Sequence, residues 1–166
     1  TFQNQIVVDR DYDTHQVLYY NLNGISYSHS FQFQVDYELI NRLDLRLAYR
    51  WLDAQTTYTD GLKERPLVAK HRVFINLAYA TKENAKSQKW NFDFTARWLG
   101  PQRLANQTNV EIANSIYSPG YWTLNSQVSF FAKENLEFYA GGENITGYMI
   151  HHPIHLSENP NSEFFD

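Results

Sequence analysis

From Ile25 to Leu39 the chain alternates between two kinds of residue. Ile25, Tyr27, His29, Phe31, Phe33, Val35, Tyr37 and Leu39 fall on one side, and Ser26, Ser28, Ser30, Gln32, Gln34, Asp36 and Glu38 fall on the other. A period of two is that of a pleated strand, whose successive side chains point to opposite faces. Strands of globular domains mostly run to about five or six residues, so alternation of this length predicts a strand that crosses a membrane within a barrel. The pattern recurs. Leu43, Leu45, Leu47, Tyr49 and Trp51 oppose Asp44, Arg46, Ala48 and Arg50, and Val73, Ile75, Leu77 and Tyr79 oppose Arg72, Asn76 and Ala78. Trp90, Phe92, Phe94, Ala96 and Trp98 oppose Asn91, Asp93, Thr95 and Arg97. Trp122, Leu124, Val128 and Phe130 then oppose Thr123, Asn125, Gln127 and Ser129, and Leu136, Phe138, Ala140 and Gly142 oppose Glu137, Tyr139, Gly141 and Glu143. With an opening strand from Phe2 to Val8, the expectation is about seven meandering antiparallel strands. Val17 to Gly24 reads as an extension of the Ile25 strand, with a bulge near Gly24.

The connections alternate in length, as they do in bacterial barrels with short turns on one rim and longer loops on the other. Ile40 to Arg42 and Lys133 to Glu134 are short, and Lys82 to Gln88 is intermediate. Thr59 to Leu67, Pro101 to Gly120 and the chain from Thr146 onward are longer. Tyr19, Tyr20, Trp51, Trp98, Tyr121 and Trp122 lie near expected strand ends, where interfacial girdles sit. An odd strand number leaves two raw edges and a bare apolar face, so the expected fold is an all-β transmembrane segment of a larger barrel. Thr1 opens directly into strand-like sequence without a signal segment, and the precursor is expected to be longer.

Composition narrows the choice of function. Aromatic residues make up 16% of the chain and Tyr is the commonest of them, a mixture suited to strands that meet an interface. The net charge of −4 argues against nucleic acid as a partner, because phosphate binding needs a basic excess. No run of about 18 apolar residues exists, which removes a membrane-spanning helix. The mean hydropathy of −0.55 fits a water-surrounded β-sandwich or lipocalin-like barrel, and equally a membrane barrel with a polar lumen. Cysteine is absent, so there is no disulfide framework and no thiolate metal site.

Asp36, Glu38, Asp44, Arg46, Arg50, Arg72, Asp93, Arg97 and Glu137 all fall on polar strand faces. There they would line a lumen, touch a plug, or simply form a solvated wall. Functional residues collect in long loops carried on a rigid sheet. The expected ligand contacts are therefore Tyr58, Arg65, Arg103, Tyr117, His151, His152 and His155, which offer stacking, cationic charge for an anionic chelate, and imidazole nitrogen. Pro153 interrupts the three histidines and no Asp or Cys is interleaved, so no metal site is assigned. His29 alternates with Ser28 and Ser30 onto opposite faces and cannot serve either as a base. No catalytic residue and no cofactor is expected.

The segments FQNQIVVDRDYD, VLYYNLNGISYSHSFQFQVDYEL, LDLRLAYRWLDAQ and NLEFYAGGENITGY, followed by HHPI and ENP, resemble in order and spacing the late barrel of TonB-dependent receptors. The resemblance spans nearly all of residues 1–166. It implies a place in the Gram-negative outer membrane, in a barrel of about 22 strands closed by a plug. The implied partners are outer-membrane lipid, the rest of the barrel and its plug, the TonB complex acting through that plug, and a small-molecule or chelate substrate such as an iron-siderophore or cobalamin. Neither the plug nor the final strand is expected within this chain. The alternatives are a passive porin or structural barrel, and a β-sandwich binding module.

Overall fold

The computed structural model describes residues 5–12, 16–105, 117–133 and 135–149, and every regular element among them is a β-strand. In chain order these are β1 (Ile6–Asp9), β2 (Leu18–Asn21), β3 (Ser26–Ile40), β4 (Leu43–Tyr58), β5 (Gly61–Glu64), β6 (His71–Ala80), β7 (Lys89–Leu99), β8 (Tyr121–Lys133) and β9 (Leu136–Gly142). Strands β3, β4, β6, β7, β8 and β9 follow one another across a single sheet, each antiparallel to the next, and β5 pairs with the far end of β4. The sheet has seven strands and is all-antiparallel. Five of them run for 10 to 16 residues, enough to cross a bilayer, which needs about 9 to 11 residues of tilted strand.

The register settles which side chains share a face, because directly paired residues point the same way. Phe33, Tyr49, Val73, Trp98 and Trp122 form one row of partners. Val35, Leu47, Ile75, Ala96 and Leu124 form the next, and Tyr37, Leu45, Leu77 and Phe94 the one after. This apolar face stays open, with Phe31 58% and Phe33 53% exposed. A sandwich would cover it with a second sheet; a membrane wall leaves it to lipid. On the same face, Trp90 packs on Phe130 with ring centroids 4.5 Å apart, and Trp98 lies near Trp122 at 6.5 Å. Trp90 and Trp98 are eight positions apart on β7, about 26 Å along the strand at roughly 3.3 Å per residue. A tilt of about 40° reduces that to a height of about 20 Å, close to the apolar band between the girdles of an outer-membrane barrel.

The turns of one rim are tight. Asn41 and Arg42 join β3 to β4, with Arg42 at φ 71° and its N–H donating to the Glu38 carboxylate at 2.8 Å. The register skips Leu39 there, so the turn carries a bulge. Between β6 and β7 the Asn84 side-chain oxygen accepts the Lys86 and Gln88 N–H groups.

Three expectations are corrected at the opposite rim. Thr59 to Leu67 is mostly a hairpin arm: Tyr58 pairs with Gly61 across the two-residue turn Thr59-Asp60, and β5 continues the ladder down to Gln55 and Glu64. Gly61 has φ 121°, which suits a residue without a Cβ. The chain then leaves β4 around Pro66 and returns with the Leu52 N–H donating to the Lys70 carbonyl, so β5 and β6 are two parts of one neighbour strand. Of the expected opening strand, Phe2 to Asn4 lie outside the described residues, and Ile6 to Val8, like Val17 to Gly24, are not part of the wall. β1 and β2 pair with each other in a separate two-stranded sheet, because four residues each are too few to span. Gly24, at φ 149° and packed on Thr57, lets the chain turn from this hairpin into β3. Tyr19 and Tyr20 therefore lie on β2 rather than in a wall girdle.

Candidate functional site

The polar face gathers all nine charged residues expected there, and the register assigns each a height. One row holds Gln32, Arg50, Arg72, Leu99 and Tyr121, and the next Gln34, Ala48, Phe74, Arg97 and Thr123. Below them come Asp36, Arg46, Asn76 and Thr95, then Glu38, Asp44, Ala78, Asp93 and Gln127. Glu137, paired with Phe131, is nearest the short-turn rim. The five carboxylates thus lie in the half with short turns, while Arg50, Arg72 and Arg97 lie in the other half. Arg46, the arginine of the acidic half, is bound to Asp36 at 2.5 Å, and Asp36 also accepts from Gln34. Lys89, at the short-turn end of β7, has its ammonium 5.0 Å from the Phe131 ring centroid.

Two hollows open on this face. One of about 420 Å³ lies among Asp44, Asn91, Asp93, Gln127, Ser129 and Glu137. The other, of about 380 Å³, lies among Gln32, Arg50, Arg72, Phe74, Arg97 and Tyr121. The Arg97 guanidinium sits 5.9 Å from the Phe74 ring centroid. Tyr121, expected in a girdle, is instead on the charged face, stacked on Tyr148 at 4.0 Å with 7° between the rings. Phe74 had drawn no notice as a lumen residue, although its parity with Arg72 and Asn76 was already present in the sequence.

Above the basic hollow the same face is roofed. Ala54, Thr56 and Tyr58 are buried while Gln55 and Thr57 between them are not, so the cover lies on the polar side of β4. It is made by the β1-β2 hairpin and the first residues after β7. The Arg103 guanidinium donates to both carboxylate oxygens of Asp11, at 3.0 and 2.9 Å, and through Nε to the Glu64 carbonyl. It also lies 5.6 Å from the Tyr58 ring. The side chains of Arg103 and Asp11 are 8% and 5% exposed. The charge of Asp11 holds the Arg103 guanidinium above its ordinary pKa despite the opposing effect of burial. Asp9, fully buried, accepts from the Asp11 amide, the Tyr20 hydroxyl, and the Thr59 amide and hydroxyl. Burial alone would push its carboxyl up, but these donors together hold it below the usual value. Tyr20 is pushed up to about 12 by burial and by the neighbouring Asp9.

Of the expected ligand contacts, Tyr58 and Arg103 meet inside this polar knot, facing each other and Asp11. Tyr117 pairs with Arg103 in an isolated bridge, and its hydroxyl donates to Glu64 at 3.2 Å. Arg65 is exposed beside them, its N–H bonded to the Ala54 carbonyl. His151, His152 and His155 lie outside the described residues. Sequence reasoning did not single out Asp9 and Asp11, because acidic residues next to a turn are ordinary until a buried cation is found opposite them. Among the described residues no group of His, Cys, Asp and Glu has the arrangement of a metal site.

A family model described as TonB dependent receptor-like, beta-barrel matches residues 1–145 of the chain. No curated protein and no solved structure matches it.

Proposed function

Because the chain belongs to the TonB-dependent receptor-like beta-barrel family, a family of outer-membrane receptors and transporters, we propose that it forms part of the wall and rim of a receptor for energy-coupled uptake of a scarce nutrient. The substrate class is an iron-siderophore, cobalamin or another chelate. Its partners are outer-membrane lipid on the apolar face, the remaining barrel and a plug on the charged face, and the TonB complex acting through that plug. The observation that carries the reading is a family match over most of the chain, on a wall that is apolar on one face and charged on the other. The work of such a wall is recognition and passage, without a chemical step. Of the expected ligand contacts, exposed Arg65 and Tyr117 suit capture at the rim, and His151, His152 and His155 are proposed alongside them. Tyr58 and Arg103 act by holding the rim in shape.

The test is accumulation of radiolabelled ferric citrate and cyanocobalamin by cells that carry the intact receptor, with and without a protonophore. Accumulation of either solute that needs both the receptor and the proton-motive force supports the reading. Equal entry with and without the protonophore, together with solute-driven swelling of liposomes, would show a passive porin instead.

A further inference from the structure

We propose that Arg50, Arg72 and Arg97 form an anion subsite on the inner wall, which takes a small molecule bearing carboxylate or similar oxyanion groups on a flat, apolar body. The proposal deepens the uptake reading and rests on it. Its first support is an electrostatic imbalance. Arg50 and Arg72 are direct cross-strand partners, and like charges placed directly opposite destabilise a sheet. Arg97 stands one row below, on the adjacent strand. Among the described residues none of the three has a carboxylate partner, whereas Arg46, two rows below Arg50, is matched to Asp36. An anion that enters the hollow supplies the missing charge.

The second support is shape. The hollow of about 380 Å³ falls in the size range of small-molecule sites, which combine an apolar lining with a few directed polar groups. Phe74, Leu99 and Tyr121 provide that lining, and the Tyr121 ring is held by stacking on Tyr148. A side chain reaching in from another part of the receptor would satisfy one or two guanidinium groups and leave the lining empty. The guanidinium fork, unlike an ammonium, binds a carboxylate through two parallel donors. The third support is the sorting of charge by height. On the wall strands the basic hollow lies toward the rim with the long connections and the carboxylates begin with Asp36, one row below Arg97, while the Asp9 and Asp11 carboxylates of the roof are already bonded to Tyr20, Thr59 and Arg103. An anion is therefore drawn to the hollow and held from passing the acidic rows unaided.

The experiment is isothermal titration of the detergent-purified intact receptor with benzene-1,2,4,5-tetracarboxylate at low ionic strength. Arg50→Gln and Arg72→Gln are each expected to weaken binding by about tenfold, the loss of one charge-assisted contact, and Arg46→Gln by less than about twofold. Absence of binding to the parent, or an equal loss in Arg46→Gln, overturns the subsite. Should the Gln variants fail to assemble, the double Arg50→Lys, Arg72→Lys variant keeps the charge and removes the forks. A loss of about fivefold or more supports the subsite, and unchanged affinity overturns it. Uptake is read separately. Protonophore-sensitive accumulation at the parental rate in the Gln variants overturns the subsite and leaves the uptake reading standing. Binding of the anion that depends on Arg50 and Arg72, beside protonophore-insensitive entry, overturns the uptake reading alone.

Discussion

Removing the Arg103 guanidinium should release the β1-β2 hairpin from the wall while leaving the wall itself folded. In Arg103→Gln the Asp11 carboxylate loses a bidentate partner in a place where it is only 5% exposed. Breaking a buried ion pair from one side costs about 3–5 kcal/mol, because the remaining charge stays desolvated. The hairpin has little to set against that loss, since two short strands are marginally stable alone in water. Its other tie, the hydrogen bonds that the Thr59 amide and hydroxyl donate to Asp9, contributes about 1.5–3 kcal/mol for each contact to a charged group. At roughly 1.4 kcal/mol per factor of ten, the docked population should fall by about two to four orders of magnitude relative to the open one. Hydrogen exchange on the intact receptor reads this directly. The Leu22 amide, bonded to the Gln5 carbonyl, and the β1 and β2 amides should exchange about a hundredfold faster or more, with β4 and β6 unchanged. The double variant Arg103→Met, Asp11→Leu removes both charges and should restore most of the protection. Parental exchange in Arg103→Gln, or loss of protection across β4 and β6 as well, would refute the reasoning.

On β3, Val35→Arg should destabilise the folded barrel by about 2–4 kcal/mol in a lipid-bilayer unfolding titration while its neighbour Gln34→Arg costs little, since only the first places a charge in lipid; equal costs would overturn the assignment of faces. Gly24→Ala puts a Cβ 2.6 Å from Thr57 Oγ1 at φ 149°, and should cost about 1–3 kcal/mol. That change should be seen as faster proteolysis between β2 and β3, and unchanged proteolysis would count against the close packing. Asp9 is held below its ordinary value, so its contribution is full above the unfolded carboxylate pKa of about 3.9 and is lost as pH falls through the lower folded value. Tyr20, raised to about 12, contributes fully below about 10 and loses its contribution as pH rises through 12. Hairpin protection should therefore hold between about pH 4 and 10 and fail on both sides, and in Asp9→Asn the acid limb should vanish.

How far the sequence could be read depended on how each segment is stabilised. The wall strands announced themselves because lipid and lumen impose opposite demands on neighbouring residues, and a period of two over fifteen residues is hard to produce otherwise. The placement of Asp36, Glu38, Asp44, Arg46, Arg50, Arg72, Asp93, Arg97 and Glu137 on one face followed from that period alone. β5 was hidden because it pairs with Gln55–Tyr58, beyond the lipid, where neither face needs to be apolar and Gly-Leu-Lys-Glu shows no alternation. β1 and β2 misled for the converse reason, since Ile-Val-Val and Leu-Tyr-Tyr are good strand formers whatever they pair with. The knot of Asp9, Asp11, Tyr58 and Arg103 joins residues up to 92 positions apart, and no local pattern encodes such a meeting.

Parity and register carry different information, and the candidate site depends on the second. Parity gives the face of a side chain within one strand, whereas the sorting of charge by height exists only once six strands are aligned. A slip of two residues between β4 and β6 would keep every face correct, yet it would set Arg50 opposite Phe74 and bring Asp44 level with Ala80. The opposed arginine pair would vanish without any change in hydrophobic pattern. The short turns fix three of the alignments: the Asn41-Arg42 turn with its skipped Leu39 for β3 and β4, the Asn84 oxygen that gathers two amides for β6 and β7, and the skipped position between Phe131 and Lys133 for β8 and β9; the alignment of β4 with β6 is carried on the other rim by the β5 arm and the Leu52 N–H that donates to the Lys70 carbonyl. The short turns lie on the rim away from the basic hollow, where each sets the register of a whole strand pair. An insertion at Asn84 would act on Arg72 and Arg97 through the offset of β6 against β7, without touching the hollow itself. The short turns are in that sense part of the site, and so is the β5 arm on the other rim, which carries the alignment of β4 with β6 that sets Arg50 opposite Arg72.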